Sequence, residues 1–325
     1  MHRTVILFLS LVPGCFEWPS SPPPPPPPSA EDAYLIWQDS PEGLTTLWLS
    51  ATGERVSEHA GLVLSWGGSL WRVESSTSPH RALDCSCVMS RPEPFTSDTP
   101  PSECTSDSTI ATATLHGPGA LSAPLLPAPA PESWQSDHEQ SIRIHGSLGP
   151  YLMYASSQSS YFCGAAHGTS ESQFHVLDLR RPSAGAHGLE RLLSSSELRV
   201  LSPDLLESAR ARLVTEEGEE SGLLDPTASP RLTALSTDWT PTGLSVTVQL
   251  TFEVCYACGD GAWSAYTRSE QHRLPSVPSA FAEHVTPLPS VVAAWSLTSG
   301  DAGRWGYSVF EGTPEALTSA RSSIP

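Results

Sequence analysis

Apolar positions in this chain recur mostly at every second residue, in short runs broken by glycine and proline. Residues 34–37, 46–50, 62–65 and 70–73 are apolar or β-prone, and the breaks between them carry Pro41-Glu42-Gly43, Ala51-Thr52-Gly53 and Gly67-Gly68. That spacing predicts short strands joined by tight turns, an antiparallel meander. Trp37, Trp48, Trp66 and Trp71 are expected to face its core, a buried indole being commoner than an exposed aromatic platform for glycan. Residues 75–101 read as a Ser/Pro-rich loop, and 110–115 alternates as a strand. Residues 118–131 carry five prolines and read as an inter-domain linker.

The pattern changes beyond Pro131. Residues 142–145 and 151–154 read as paired strands joined at Gly146-Ser147-Leu148-Gly149-Pro150, and 173–179 as a further strand. Ser202-Pro203-Asp204 is a helix start, with serine as cap, proline at the first helical position and an acid near the positive dipole end. Leu205, Leu206, Ala209 and Leu213 then recur at helical spacing up to Gly218. Residues 244–254 alternate over their whole length and predict a central antiparallel strand, packed by that helix. A short helix is expected over 278–285. Residues 291–297 and 305–310 read as a closing hairpin over 300–303.

The N-terminus changes the picture from a plain globular chain to an exported one. An apolar run over 5–12 is too short to span a bilayer and stops at Pro13-Gly14-Cys15. Val12-Pro13-Gly14-Cys15 resembles a bacterial lipobox, which implies a thioether-linked diacylglycerol on Cys15; Pro13 departs from the usual pattern. Seven consecutive prolines, Pro22 to Pro28, follow. They form a stiff polyproline spacer, rising ~3.1 Å per residue, which would hold a domain off a membrane. No other apolar stretch approaches the ~18 residues of a transmembrane helix.

Composition narrows the function classes. The 325 residues hold 17 basic and 35 acidic side chains, a formal charge of −18, with no lysine or asparagine. An acidic surface argues against nucleic acid, whose phosphates need a basic one. Beyond Cys15 six cysteines remain: Cys85, Cys87, Cys104, Cys163, Cys255 and Cys258. An even number in an exported chain reads as disulfides. Proximity favours Cys104 with Cys85 or Cys87, and Cys163 would pair with one of Cys255 and Cys258 if their strands are neighbours. Cys255-Tyr-Ala-Cys258 also has redox spacing, but it ends a strand rather than opening a helix. With the Cys85-Ser-Cys87 motif it has the ligand types of a four-cysteine zinc site, set against an oxidising compartment.

Several motifs in the second half are shared with a known family. Gly146-Ser-Leu-Gly-Pro-Tyr151, Cys163-Gly-Ala-Ala-His-Gly168 and Phe174-His-Val-Leu-Asp-Leu179, followed by a helix, resemble the ectodomain of RsiV-type anti-sigma factors and the module that precedes PdaC-type peptidoglycan deacetylases. Residues 243–281 resemble that family's C-terminal half. The resemblance covers 134–286 and implies an α/β envelope domain that, in RsiV-type members, binds a protein such as lysozyme. This chain departs from it by an extra alanine in the histidine turn and by Cys255-Tyr-Ala-Cys258-Gly-Asp-Gly-Ala-Trp263 at the usual Tyr-rich turn. It shows neither a sigma-binding segment nor a deacetylase catalytic domain, so neither role is carried over.

The common enzyme motifs, HExxH, GxSxG, a Walker loop and GxGxxG, do not occur. Cys163 and His167 have the residue types of a nucleophile and base, but glycines flank them and a disulfide would consume the thiol. His138, His145, His167, His175 and His187 are scattered through the second half. His167, Asp260 and Trp263 are candidate binding residues on glycine turns, where turn geometry and packing explain them equally well.

The expected class is α+β: a β-rich meander, then an α/β domain with an antiparallel sheet and one or two packed helices. The expected segments are a signal peptide at 1–14, a lipidated Cys and Pro-rich linker at 15–31, a β-rich domain at 32–117, a linker at 118–131, the RsiV-like domain at 132–290 and a hairpin with tail at 291–325. The expected role is a lipid-anchored envelope protein of a GC-rich Gram-negative bacterium, at the outer membrane facing periplasm or surface. It would bind an envelope protein or glycan without catalysis, cofactor or metal. The rivals are an envelope hydrolase using histidines and a purely structural component.

Overall fold

The computed structural model describes residues 32–40, 43–90, 102–129, 137–161, 163, 168–194, 231–240, 243–253, 267–299 and 303–311, with Glu197, Glu207 and Ala211. Among these the protein is β-dominated, built mostly of antiparallel sheets with few and short helices. The α+β expectation therefore holds only broadly, with far more sheet than helix.

The first sheet has the order β14-β1-β2-β3, from β1 (Asp32–Ser40), β2 (Gly43–Ser50), β3 (Arg55–Ala60) and β14 (Arg304–Glu311). β1 is paired on both edges and buried on both faces, as its near-continuous apolar run requires. Ala33, Leu35 and Trp37 serve one face; Tyr34 and Ile36 pack with Val292 on the other. Val292 belongs to a helix, α3 (Ser290–Thr298), which corrects the hairpin expected at 291–297. The two β-branched residues at 291 and 292 suggest strand. Val292 and Trp295, three apart and joined by Ala293-Ala294, instead make one helical face against β1. The true partner of β14 is β1, in register from Asp32↔Glu311 to Asp39↔Arg304.

The second sheet has the order β4-β5-β6-β7, from β4 (Leu62–Trp66), β5 (Ser69–Leu83), β6 (Thr105–His116) and β7 (Ser122–Leu126). The first nine residues of the loop expected at 75–101 are strand, because β5 pairs with β6 as far as Leu83↔Thr105. Exposed Ser and Thr lie along that ribbon, with Ser76 and Thr112 hydroxyls 2.8 Å apart. The short α1 (Cys85–Met89) follows, capped by Asp84, whose carboxylate accepts from the Ser86 and Cys87 amides. The linker expected at 118–131 is also corrected. Pro118 starts a turn, Pro124 sits on the edge strand β7 where no amide is missed, and Leu125 and Leu126 are buried.

β8 (Asp137–Leu148), β9 (Tyr151–Tyr161) and β10 (Thr169–Asp178) form the third sheet, order β10-β9-β8. The predicted hairpin at 146–150 is present, closing at Leu148↔Tyr151 with Gly149 at φ +54°. β11 (Arg231–Thr240), β12 (Gly243–Glu253) and β13 (Thr267–Arg273) form the fourth, with β12 central as its alternation predicts. Its Val246, Val248 and Leu250 are buried. Leu192, Leu235 and Phe281 of the short helix α2 (Ser279–Ala282) share a core with Val246 and Val248. The helix expected to cover β12 lies outside the described residues, except for Glu207 and Ala211, both helical.

One core joins the two halves of the chain. Trp37, Leu62, Trp71 and Leu115 pack in one cluster with Leu126, Ile144, Leu152 and Leu177. Residues on either side of 118–131 thus bury one another. The Trp37 indole, fully buried, donates to Ser147 Oγ at 2.6 Å and lies against Gly306, where a Cβ would come within 2.7 Å of it.

A candidate binding cleft where the sheets meet

The disulfide framework is partly as expected. Cys87 pairs with Cys104, one of the two partners proximity favours. Cys163 pairs with Cys85, not with Cys255 or Cys258. The reason is geometric: α1 turns the end of β5 towards the stretch after β9, which brings Cys85 and Cys163 to a Cα separation of 5.0 Å. The bridges flank a small cluster of Leu83, Val88 and Cys104. With its sulfur bonded, Cys163 has no thiol to act as a nucleophile. Two disulfides fit an oxidising, exported compartment, and no helix among the described residues is long and apolar enough to cross a membrane. Cys15, His167, Cys255, Cys258, Asp260 and Trp263 lie outside the described residues.

The described histidines are spread out. His138 neighbours His80, with ring centroids 5.5 Å apart. His145 meets Phe174 edge to face at 5.5 Å and is held neutral, its pKa pushed down to about 4 by burial and then by Arg304 and Arg143. His175 stacks on Tyr154 and bonds Ser156 Oγ at 2.8 Å. Among the described residues no three His, Cys, Asp or Glu side chains converge as a metal site.

The most chemically varied concavity is a cleft of about 540 Å³ at the junction of all four sheets. Each wall is set by a local rule of sequence. The β4–β5 hairpin supplies Trp66 and the turn Gly67-Gly68, where φ +60° and +70° suit a two-residue hairpin that only glycine enters easily. The β8–β9 turn supplies Ser147 and Gly149; a Cβ on Gly149 would lie 2.4 Å from the His284 ring. The end of β11 supplies Trp239, the segment after α2 supplies Glu283, His284 and Thr286, and β14 supplies Tyr307 and Glu311.

The rings are held firmly. Trp66 meets His284 edge to face at 5.6 Å, and Trp239 lies 5.1 Å from Tyr307. The Tyr307 hydroxyl lies 3.4 Å from Thr286 Oγ1, and burial raises its pKa. His284 Nε2 lies 3.3 Å from Glu283, but burial lowers the imidazole pKa, aided by Arg180 and opposed by Glu283 and Asp178. Arg180 stands behind this wall. It sits over the Tyr151 ring and donates to Asp178 and to the Tyr151 hydroxyl, which keeps its pKa raised. Trp239 is 6% exposed and its buried Nε1 has no hydrogen-bond partner among the described residues.

None of these residues stood out in the sequence as a site. Trp37, Trp48 and Trp71 are core, as expected, but Trp66 is only partly buried and lines the cleft. The one local signal was Gly67-Gly68, which forces Trp66 to the end of its strand. A second cavity of about 330 Å³, between β6, β8 and β9, is lined by serine, threonine and glutamine with His138 and no Trp, Tyr or Phe.

No family model matches the chain, and no curated protein matches it. Among solved structures, a crystal structure of a DUF3298 family protein from Pseudomonas aeruginosa PAO1 is similar at 13% identity, over 67% of this chain and 96% of that one, with a TM-score of 0.31. DUF3298 lies within the PdaC/RsiV-type domain family.

Proposed function

We propose that this protein is a non-catalytic binding module of the cell envelope, anchored by a lipid on Cys15, that holds an envelope glycan in the cleft between Trp66, Trp239 and Tyr307. The observation that supports the reading is the cleft's make-up. Its volume, about 540 Å³, falls among ligand pockets of ~300–1,000 Å³. The partly buried rings of Trp66 and Tyr307 offer flat faces for the C–H faces of a pyranose, and Thr286 and Ser308 add hydroxyls at the rim. The walls carry the acid–imidazole pair Glu283 and His284, and no Ser, Cys or Lys among the described residues is placed on it as a nucleophile.

The polyproline spacer would set the module away from the membrane, where the wall glycan is within reach. The test is co-sedimentation of the full chain with purified peptidoglycan, alongside Trp66→Ala and a screen for released sugars. Sedimentation of wild type, lost in the variant and without release, is the expected result. Equal sedimentation of both, or sugar release that stops in His284→Ala, would overturn it.

A further inference from the structure

The charge of the cleft points beyond a generic glycan. Among the described residues its lining includes two acidic side chains, Glu283 and Glu311, and no arginine. The basic group among those lining residues is the His284 imidazole, which burial keeps towards its neutral form. Arg180, whose charge reaches His284, is committed to Asp178 and Tyr151. Glu283 stands at the rim, its side chain 70% exposed, so a bound group can meet it without displacing a partner deep in the fold. Rings of Trp66, Trp239 and Tyr307 lie on the same walls, and aromatic faces attract cations through their quadrupole.

A neutral sugar uses the rings and can donate its hydroxyls to the acids, but leaves their negative charge uncompensated. A bare cation answers the charge but has no carbon face to lay on the Trp66 and Tyr307 rings. A ligand that satisfies both has a flat carbon face and a positive charge. We infer that the cleft selects a saccharide bearing a free ammonium group, an amino sugar without its N-acyl cap. This rests on the glycan reading above and adds its specificity. The ammonium would lie towards Glu283 and Glu311, with the sugar's carbon face against the Trp66 and Tyr307 rings.

The experiment is calorimetric titration of the full chain at pH 7 with four probes of similar size. They are a β-1,4-linked glucosamine trimer, its N-acetylated counterpart, cellotriose, and a lysine-containing tripeptide of the same charge. The glucosamine trimer should bind about tenfold more tightly than the other two sugars, the scale of one cation–π contact plus a rim ion pair. In Glu283→Gln, an exposed substitution that spares the fold, and in Glu283→Gln/Glu311→Gln, that preference should fall step by step while cellotriose binding stays constant. Trp66→Phe, which keeps a ring at the wall, should weaken all sugars together.

Equal affinity for the three sugars would overturn the ammonium inference and leave the glycan reading standing. Binding of the peptide as tight as that of the glucosamine trimer would show that charge alone is read, and would overturn it too. No binding of any sugar would remove the glycan reading itself.

Discussion

Replacing Val248 by aspartate is the sharpest test of the fold, because its cost follows from where β12 sits. Val248 is 0% exposed, on the middle strand of the fourth sheet, opposite Leu235 on β11 and His272 on β13. Removing the valine side chain from that core forfeits about 1.5–3 kcal/mol of burial. The carboxylate put there is desolvated among the apolar residues of that core, with His272 as its cross-strand neighbour, which adds several kcal/mol more. The sum, at least ~5 kcal/mol, rivals the ~5–15 kcal/mol that holds a typical domain together. Val248→Asp should therefore be largely unfolded at room temperature.

Two neighbours calibrate the result. Val248→Thr keeps the shape and should lose only about 1–2 kcal/mol. Thr247→Asp lies on the other, half-buried face, opposite Arg273 across the ladder, and should cost roughly 1 kcal/mol. Urea melts followed by near-ultraviolet circular dichroism give all three values. A Val248→Asp protein within about 2 kcal/mol of Thr247→Asp would refute the buried placement of this face.

Three further outcomes follow from other parts of the molecule. Cys85 and Cys163 are 78 residues apart and Cys87 and Cys104 are 17 apart, so replacing each pair by serine should cost about 4 and about 3 kcal/mol respectively; melts of oxidised protein check this, and an unchanged midpoint for either double variant contradicts that bridge. His145 is held neutral with a pKa of about 4 against an ordinary 6.5, so the unfolded chain binds the extra proton between those values. Its contribution is full above pH 6.5 and is lost as pH falls towards 4, by up to about 3 kcal/mol; His145→Gln should lose less stability than wild type between pH 7.5 and 4.5, and equal losses would contradict it. Cys15→Ala should release the protein from membranes in cell fractionation, because anchoring is attributed to acyl chains alone; retention would remove the lipid anchor from the account.

Local pattern carried the strands well and the tertiary partners poorly. The alternation of Val246, Val248 and Leu250 and the glycine-bearing hairpin at 146–150 are local signals, and both appear in place. The pairing of β1 with β14 joins residues nearly the length of the chain apart, and nothing local encodes it. Val291 and Val292 have strand propensity, but tertiary packing on Tyr34 and Ile36 makes them helical. Proline content suggested a linker at 118–131, although Leu125 and Leu126 within it are core residues and Pro124 occupies an edge where proline is harmless. The cleft was hidden for the same reason. Trp66, Trp239, His284 and Tyr307 come from four separated stretches, and each alone reads as packing. Even the Cys85–Cys163 bridge depends on a turn of α1 that brings two distant segments together.

The cleft at the sheet junction is the proposed place where ligand binds. Amide hydrogen exchange of the full chain, with and without solubilised peptidoglycan glycan fragments, tests it most directly. Protection should rise at residues 64–68, 147–149, 283–286 and 307–311, the walls of the cleft. Protection confined to the Ser/Thr-rich ribbons at 75–83, 105–113 and 155–161, with the cleft walls unchanged, would contradict it.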